Sequence, residues 1–400
     1  MSASPSRRSV IGALGAASAG GLVTGAAVPA AADDRSGPVP EGLRPGGEFD
    51  RYVAAEAAAD EFSGSLLLTR GGRTVLARSY GMADKQRSVP NGPDTLFALA
   101  SVTKLFTAVA VHQLAQQRKV TYGARLGTYL DGFPSSVADN VTVHQLLTHT
   151  SGFGDVHMLP GYQAAEAGWT TPEQTMKGLV DLIRQSEPGF QPGAGWAYSN
   201  SGYVLLGAIV EKVTGMSYYD YVRRYVFAAA GMTRTRFLTR PQWQAGRNIA
   251  HPYYPDGQGS WTDGVPEARY VVGDPAGDAF TTCADLDRFG RLLWRGRLLD
   301  PGWTPLMLSG KVPLPPAPTA PTGDDTGVPA QALFQCYGPV GALVSGRWTF
   351  SHGGGSTLGV STSVEVFPET GWGVVVLSNY AGALVPEIAS LARKLITAGR

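Results

Sequence analysis

The order of apolar patterns along the chain predicts an α/β fold: one antiparallel sheet assembled from both chain ends, flanked by helices, with an all-α part inserted. Three observations carry this prediction. Two β-like runs follow a helical segment near the start, a second hairpin precedes a helical segment near the end, and the long middle repeats at helical spacing. The α/β part is expected over about residues 49–100 and 275–400, and the all-α part over about 101–274. A cleft between the two parts is the expected place for a site.

Taken in order, residues 49–62 are Ala-rich with apolar positions at helical spacing and predict the first helix. Residues 65–69 and 74–80 flank Gly71-Gly72 and predict a hairpin. Helices are expected over 102–118, 142–147, 172–185, 201–213 and 284–293. The Pro-rich stretch 312–329 predicts a loop and no strand. Runs 361–367 and 373–377 around Pro368-Glu369-Thr370-Gly371 predict the second hairpin, and 383–397 the last helix. Residues 33–48 are Gly/Pro-rich and polar and predict a linker, with folding from about Phe49.

Of the 400 residues, 43% are hydrophobic and 16% charged, enough apolar content for a sizeable core. Basic and acidic residues balance at 33 against 32 with no Lys/Arg run, so the electrostatic footprint of a nucleic-acid binder is absent. No apolar run beyond the first thirty residues is long enough to predict a stable membrane span. Residues 1–32 carry Arg7-Arg8, a weakly hydrophobic stretch and Ala30-Ala31-Ala32. This resembles a twin-arginine signal peptide with a small-residue cleavage site, and predicts a secreted or extracytoplasmic protein. A disordered leader or an uncleaved anchor is the competing reading. Cys283 and Cys336 are too few for a disulfide framework; two buried thiols or one bridge both fit.

Three motifs carry chemistry. Ser101-Val102-Thr103-Lys104 is the only S-x-x-K in the chain and lies where a helix is expected to begin. An i, i+3 pair shares a helical face, so a neutral Lys104 amine can accept the Ser101 proton and make the hydroxyl a nucleophile. An ordinary exposed Ser and Lys would give the same four letters. Tyr198-Ser199-Asn200 precedes an apolar helix. A phenol near cations loses its proton more easily, so Tyr198 is a candidate acid and base, while Asn200 can hold Lys104 and substrate. The structural alternative is a helix N-cap at Asn200 or Ser201. Ser351-His352-Gly353-Gly354-Gly355 ends a β-like run, and its glycines let a strand edge approach a ligand and offer an oxyanion N–H. A turn with a surface His is the alternative.

In order and spacing, Ser101/Lys104, Tyr198/Asn200 and His352/Gly354 resemble the three motifs of the serine β-lactamase and penicillin-binding superfamily, in its class C β-lactamase and DD-carboxypeptidase branch. Leu146-Leu147-Thr148-His149-Thr150-Ser151-Gly152 and residues 203–207 resemble the family's inner helical region, and the resemblance spans about residues 50–395. It implies a β-lactamase/transpeptidase-like fold. It also implies roles: Ser101 as acylated nucleophile, Lys104 and Tyr198 in proton transfer, and Asn200 in orienting Lys104 and the substrate. His352, Gly353, Gly354 and Gly355 would line the substrate, with the N–H groups of Ser101 and Gly355 as oxyanion hole. No cofactor or metal is implied, and the remaining His residues show no zinc-site spacing. His149 reads as structural in its loop.

Members that recognise a carboxylate usually carry Thr or Ser within or just after the third motif, where this chain has Gly353 and Gly355. The loss shifts weight toward esters, amides or acyl transfer. His352 in place of the commonest Lys is familiar among carboxypeptidases, D-aminopeptidases and esterases of the branch. The expected function is therefore an exported, monomeric serine hydrolase acting on an ester or amide of a small molecule or peptide, with D-alanyl-D-alanine carboxypeptidase the leading activity. An esterase or transacylase on a small metabolite is the alternative. A catalytically silent penicillin- or peptidoglycan-binding module is the third reading, disfavoured by the joint presence of Ser101, Lys104, Tyr198 and Asn200.

Overall fold

The structure, a computed structural model, describes residues 37–315, 332–382 and 384–398. The signal segment expected over 1–32 lies outside the described residues. Near the start, helix α1 (Glu48–Ala58) leads into strands β1 (Gly64–Arg70) and β2 (Arg73–Tyr80). The helical middle contributes α2 (Lys104–Gln116), α3 (Val143–Leu147), α4 (Pro172–Arg184), α5 (Asn200–Thr214) and α6 (Cys283–Trp294). The chain then returns to the sheet with β3 (Val312–Leu314), β4 (Ala332–Gln335), β5 (Val340–Val344), β6 (Arg347–Ser356), β7 (Val360–Phe367) and β8 (Trp372–Ser378). Helix α7 (Leu384–Ala398) follows.

These eight strands form one sheet in the order β3-β4-β5-β6-β7-β8-β1-β2, every pairing antiparallel. The two chain ends meet inside it, one strand from the β2 edge, where Gly64 pairs with Ser378 and Arg70 with Trp372. Packing on both faces explains why β1 and β8 are almost wholly buried. Leu66, Leu68, Val374 and Val376 enter one core with α1 and α7, while Leu67, Val375 and Leu377 enter a second, larger core with the middle helices. A strand buried on both faces loses the polar half of its period.

Two expectations are corrected here. The residues read as a linker already pack: Glu41–Leu43 makes one helical turn, Leu43 is fully buried in the first core, and Gly42 lies against Leu395. Gly and Pro there mark turns, and one leucine is enough to seat the segment. The stretch read as a loop from residue 312 begins with β3, which tolerates Pro313 because it is an edge strand bonded only to β4. Residues 316–331 of that stretch lie outside the described residues.

Cys283 and Cys336 are separate buried thiols, their Sγ atoms 3.3 Å from the Ser65 carbonyl and 3.1 Å from the Leu308 carbonyl. No helix among the described residues is long and apolar enough to cross a membrane. The described residues belong to one compact unit.

Candidate active site

Ser101 lies in a single tight turn, Ala100–Thr103, from which α2 continues. The turn is fixed from three sides. Leu99 N–H donates to the Ala279 carbonyl (2.9 Å), the Thr103 hydroxyl accepts from Ala279 N–H (3.0 Å), and the Thr362 hydroxyl of β7 donates to the Leu99 carbonyl (2.9 Å). Ala100 holds φ +44°, an unfavourable left-handed value for a residue with a Cβ, immediately before the nucleophile. Helix α2 is apolar on nearly all faces and buried along most of its length, so it is a rigid mount.

Lys104 is fully buried one turn on. Its Nζ lies 2.6 Å from Asn200 Oδ1, 2.7 Å from the Ala276 carbonyl and 3.2 Å from Ser101 Oγ. Burial lowers its pKa to about 7 despite the opposing fields of Asp274, Asp155 and Asp278. A neutral amine has two N–H bonds and one lone pair. With the N–H bonds given to Asn200 and Ala276, the lone pair is left for the Ser101 hydroxyl.

The second motif is placed by a cap. Ser199 Oγ accepts from Gly202 N–H (2.9 Å) and starts α5, so the N-cap is Ser199 and Asn200 is the first helical residue. The Tyr198 hydroxyl is turned toward Ser101, which acts to lower its pKa, and Lys104 Nζ lies 4.8 Å from its ring centre. The residue as a whole is 42% exposed, but its hydroxyl sits at the buried end. Burial pushes that hydroxyl up to about 12, with Ser101 acting the other way. The expected easing of proton loss is therefore reversed. The nearby amine is itself discharged by burial, and the fields of Asp155 and Asp274 disfavour a phenolate. His149 buttresses the ring from behind: it stacks on Tyr198 at 4.7 Å, accepts the Ser199 N–H at Nδ1 (3.0 Å), and is held at φ +60°.

The third motif lies along β6. Strand β5 pairs with β6 only as far as Ser351, whereas β7 pairs with it from Phe350 to Ser356, so one edge of residues 352–356 lies beyond the pairing with β5. Gly354 faces the nucleophile. A Cβ there would stand 2.3 Å from the Leu99 carbonyl oxygen and 3.0 Å from Ser101 N, so only glycine permits this approach. His352 is buried, its Nδ1–H donates to the Gly353 carbonyl (2.7 Å), and burial followed by the field of Lys104 lowers its pKa to about 4. Gly353 and Gly355 face the other side of the sheet, opposite Ser363 and Ser361, and each has room for a Cβ.

Ser101, Lys104, Tyr198 and Asn200 thus meet in one cluster, with Gly354 against the same turn and His352 within the field of Lys104. Sequence reasoning missed four further participants, Asp155, His157, Asp274 and Ala276. Asp155 accepts from His157 Nδ1 (2.8 Å) and is acted on by the Asn200 side chain, which lowers its pKa; His157 Nε2 reaches Asp274 Oδ2 (2.9 Å); and Asp274 Oδ1 accepts from Ala276 N–H (2.6 Å). The only local signal is the D-x-H spacing of Asp155 and His157, which is invisible as a pair with Asp274, 117 residues on. Among the described residues no group of three or more His, Cys, Asp or Glu is arranged to hold a metal.

Comparison with known proteins identifies a family and a fold. The Beta-lactamase family profile matches residues 49–397. Penicillin-binding protein 4* of Bacillus subtilis (strain 168) is 34% identical over 249 residues, covering 59% of this chain and 53% of that protein. The chain spans about half the length of the first curated relatives it matches. Among solved structures, a penicillin-binding protein from Bacillus halodurans superposes with TM-score 0.72 at 26% identity, over 86% of this chain and 99% of the other. A D-stereospecific amidohydrolase from Streptomyces sp. gives TM-score 0.65 at 26% identity, over 86% and 95%.

Proposed function

Because the chain belongs to the β-lactamase and penicillin-binding superfamily of serine hydrolases, we propose that it forms an acyl-serine intermediate at Ser101 from a neutral amide or ester. The observation that carries this is the Lys104 amine, buried, shifted to about 7 and held between Asn200, Ala276 and the Ser101 hydroxyl. The neutral amine takes the Ser101 proton as Oγ attacks the carbonyl carbon, and negative charge collects on the carbonyl oxygen. The Ser101 N–H and, by register, the Gly355 N–H receive that charge. Tyr198, protonated at neutral pH, gives its proton to the leaving nitrogen or oxygen as the bond to carbon breaks, and Lys104 returns a proton to Tyr198. Water then attacks the acyl-serine by the reverse sequence and releases the acid.

The leaving group follows from Gly353 and Gly355. Neither has a hydroxyl to receive a substrate carboxylate, and an unpaired carboxylate in a closed cleft is costly. Likeness to a D-stereospecific amidohydrolase supports an amide substrate of D configuration. One observation favours a second reading, D-alanyl-D-alanine carboxypeptidase: Ser361 and Ser363 lie directly across from Gly355 and Gly353 on the same face, where their hydroxyls can substitute for the missing ones. Comparing kcat/KM for a D-amino acid amide, a p-nitrophenyl ester and a D-Ala-D-Ala peptide, with intact-mass detection of the acyl-enzyme, tests both. A tenfold preference for the D-Ala-D-Ala peptide, about 1.4 kcal/mol, would establish the second reading over the first. Export through the Arg7-Arg8 signal belongs to the same proposal.

A further inference from the structure

His157 has no part in the three motifs, yet it bridges two arms of contacts that lead from the catalytic amine, one through Asn200 and one through Ala276. From Lys104 Nζ the path runs to Asn200 Oδ1 (2.6 Å); the Asn200 side chain acts on Asp155, lowering its pKa, and Asp155 in turn accepts from His157 Nδ1 (2.8 Å). The path leaves His157 at Nε2 for Asp274 (2.9 Å), passes to Ala276 N–H (2.6 Å), and returns from the Ala276 carbonyl to Lys104 Nζ (2.7 Å). Both ring nitrogens face carboxylate oxygens, which accept and never donate when ionised, so both must carry protons.

We propose that His157 is a positioning residue for the catalytic amine: donating from both ring nitrogens, it ties Asp155 to Asp274 and thereby fixes Asn200 Oδ1 and the Ala276 carbonyl, the two acceptors that aim the Lys104 lone pair at Ser101. Asp155 and Asp274 come from segments far apart in sequence, and among the described residues His157 is the one side chain that bonds to both. Its charge also matters. Burial acts to discharge the ring, but the two carboxylates outweigh it and raise the pKa to about 10. The groups facing the ring are Asp155, Asp274, Asp278 through space, and the Tyr162 ring edge-on at 5.2 Å, itself bonded to Glu166. Those facing Lys104 are Ser101, Asn200, Tyr198 and Tyr203, with His149 and His352 acting through space. Removing the imidazolium leaves Asp155 and Asp274 uncompensated beside Lys104, which favours the ammonium and blocks proton acceptance at neutral pH.

The inference rests on acylation at Ser101, so labelling of the wild-type full chain by a serine-directed fluorophosphonate comes first; failure there rejects the proposed function itself. With labelling established, His157→Leu is compared with wild type across pH. The expected result is a loss of about tenfold or more in kcat at pH 7 with KM within about twofold, and an acid limb moved up by about one pH unit or more, so that activity recovers in alkali. His157→Gln, which keeps one donor, should lie between the two. A uniform loss with the limb unmoved, or no loss, overturns the proposal. Should both variants fail to fold by circular dichroism, 15N NMR of histidine-labelled wild type decides: both ring nitrogens of His157 protonated at about pH 8 supports the proposal, and a neutral ring overturns it.

Discussion

Lys104 and Arg would be equally cationic in water, but only Lys can lose its charge inside a protein. Lys104→Arg should therefore abolish acylation at every pH, whereas wild-type kcat/KM should rise with pH through about 7 and then level, since a lowered lysine pKa makes the neutral base available above that value. Tyr198, pushed up to about 12, stays a donor across the same range. A pH–rate profile with its acid limb near 9 would show that the amine is an ordinary solvated lysine and remove it as base. Ser101→Ala should end fluorophosphonate labelling outright. Gly354→Ala should nearly silence the protein, because the new Cβ lies 2.3 Å from the Leu99 carbonyl and must push the Ser101 turn away. Gly353→Ala, whose Cβ meets nothing closer than 3.7 Å, should leave the Ser101 turn in place, so that any loss it causes falls on substrate binding. The letters S-x-x-K, Y-S-N and H-G-G mark these residues because each motif is contiguous. Ala276 and Thr362 left no such trace, since one contributes a backbone carbonyl and the other a hydroxyl stapling Leu99.

Elements were legible where packing and local pattern agree. Strands β1, β7 and β8 lie within a residue or two of the runs that predict them, and α4 starts at Pro172 behind a Thr171 cap, as a helix should. The failures have one cause: Leu43 and Val312–Leu314 are ordered by partners distant in sequence, α7 and β4, and local composition carries no record of a partner. Helix α5 shows how far an element can reach. Gly207 in its middle costs about 1 kcal/mol of helix propensity against Ala, yet a Cβ there would stand 2.2 Å from Pro275. Pro275 adjoins Ala276, whose carbonyl holds Lys104, and its own carbonyl accepts from Thr107 (2.6 Å). Gly207→Ala should thus lower stability by about 1–3 kcal/mol through overpacking and lower kcat with it. Thermal melts and kinetics on the same preparation check this. A more stable variant with unchanged kcat would show that the 274–278 loop yields freely and does not set the site.

At the scale of the whole molecule, joining both chain ends side by side within one sheet means that β1 cannot be completed until β8 has been made and folded back beside it. Such a chain reaches its native state only when synthesis is nearly finished. The proposed export through Arg7-Arg8, by a route that carries folded proteins, would suit this topology. The thiols are compatible with that proposal. Cys283 and Cys336 are buried apart and burial raises both, to beyond the ordinary thiol range for Cys283 and to about 11 for Cys336, so neither is a ready nucleophile for disulfide formation after export. A thiol reagent should find neither group in the native protein and both after denaturation. Replacing Arg7 and Arg8 together by Lys preserves charge and hydropathy but removes the feature an export receptor reads. The double variant should therefore accumulate inside the cell as a folded, fluorophosphonate-reactive protein of precursor mass, while wild type is recovered outside in cleaved form. Because the two arginines precede the folded unit, activity per molecule should be equal in both. Secretion of the variant at the wild-type level would mean that a general export signal, or none, is at work, and that the buried thiols must then survive folding in an oxidising compartment.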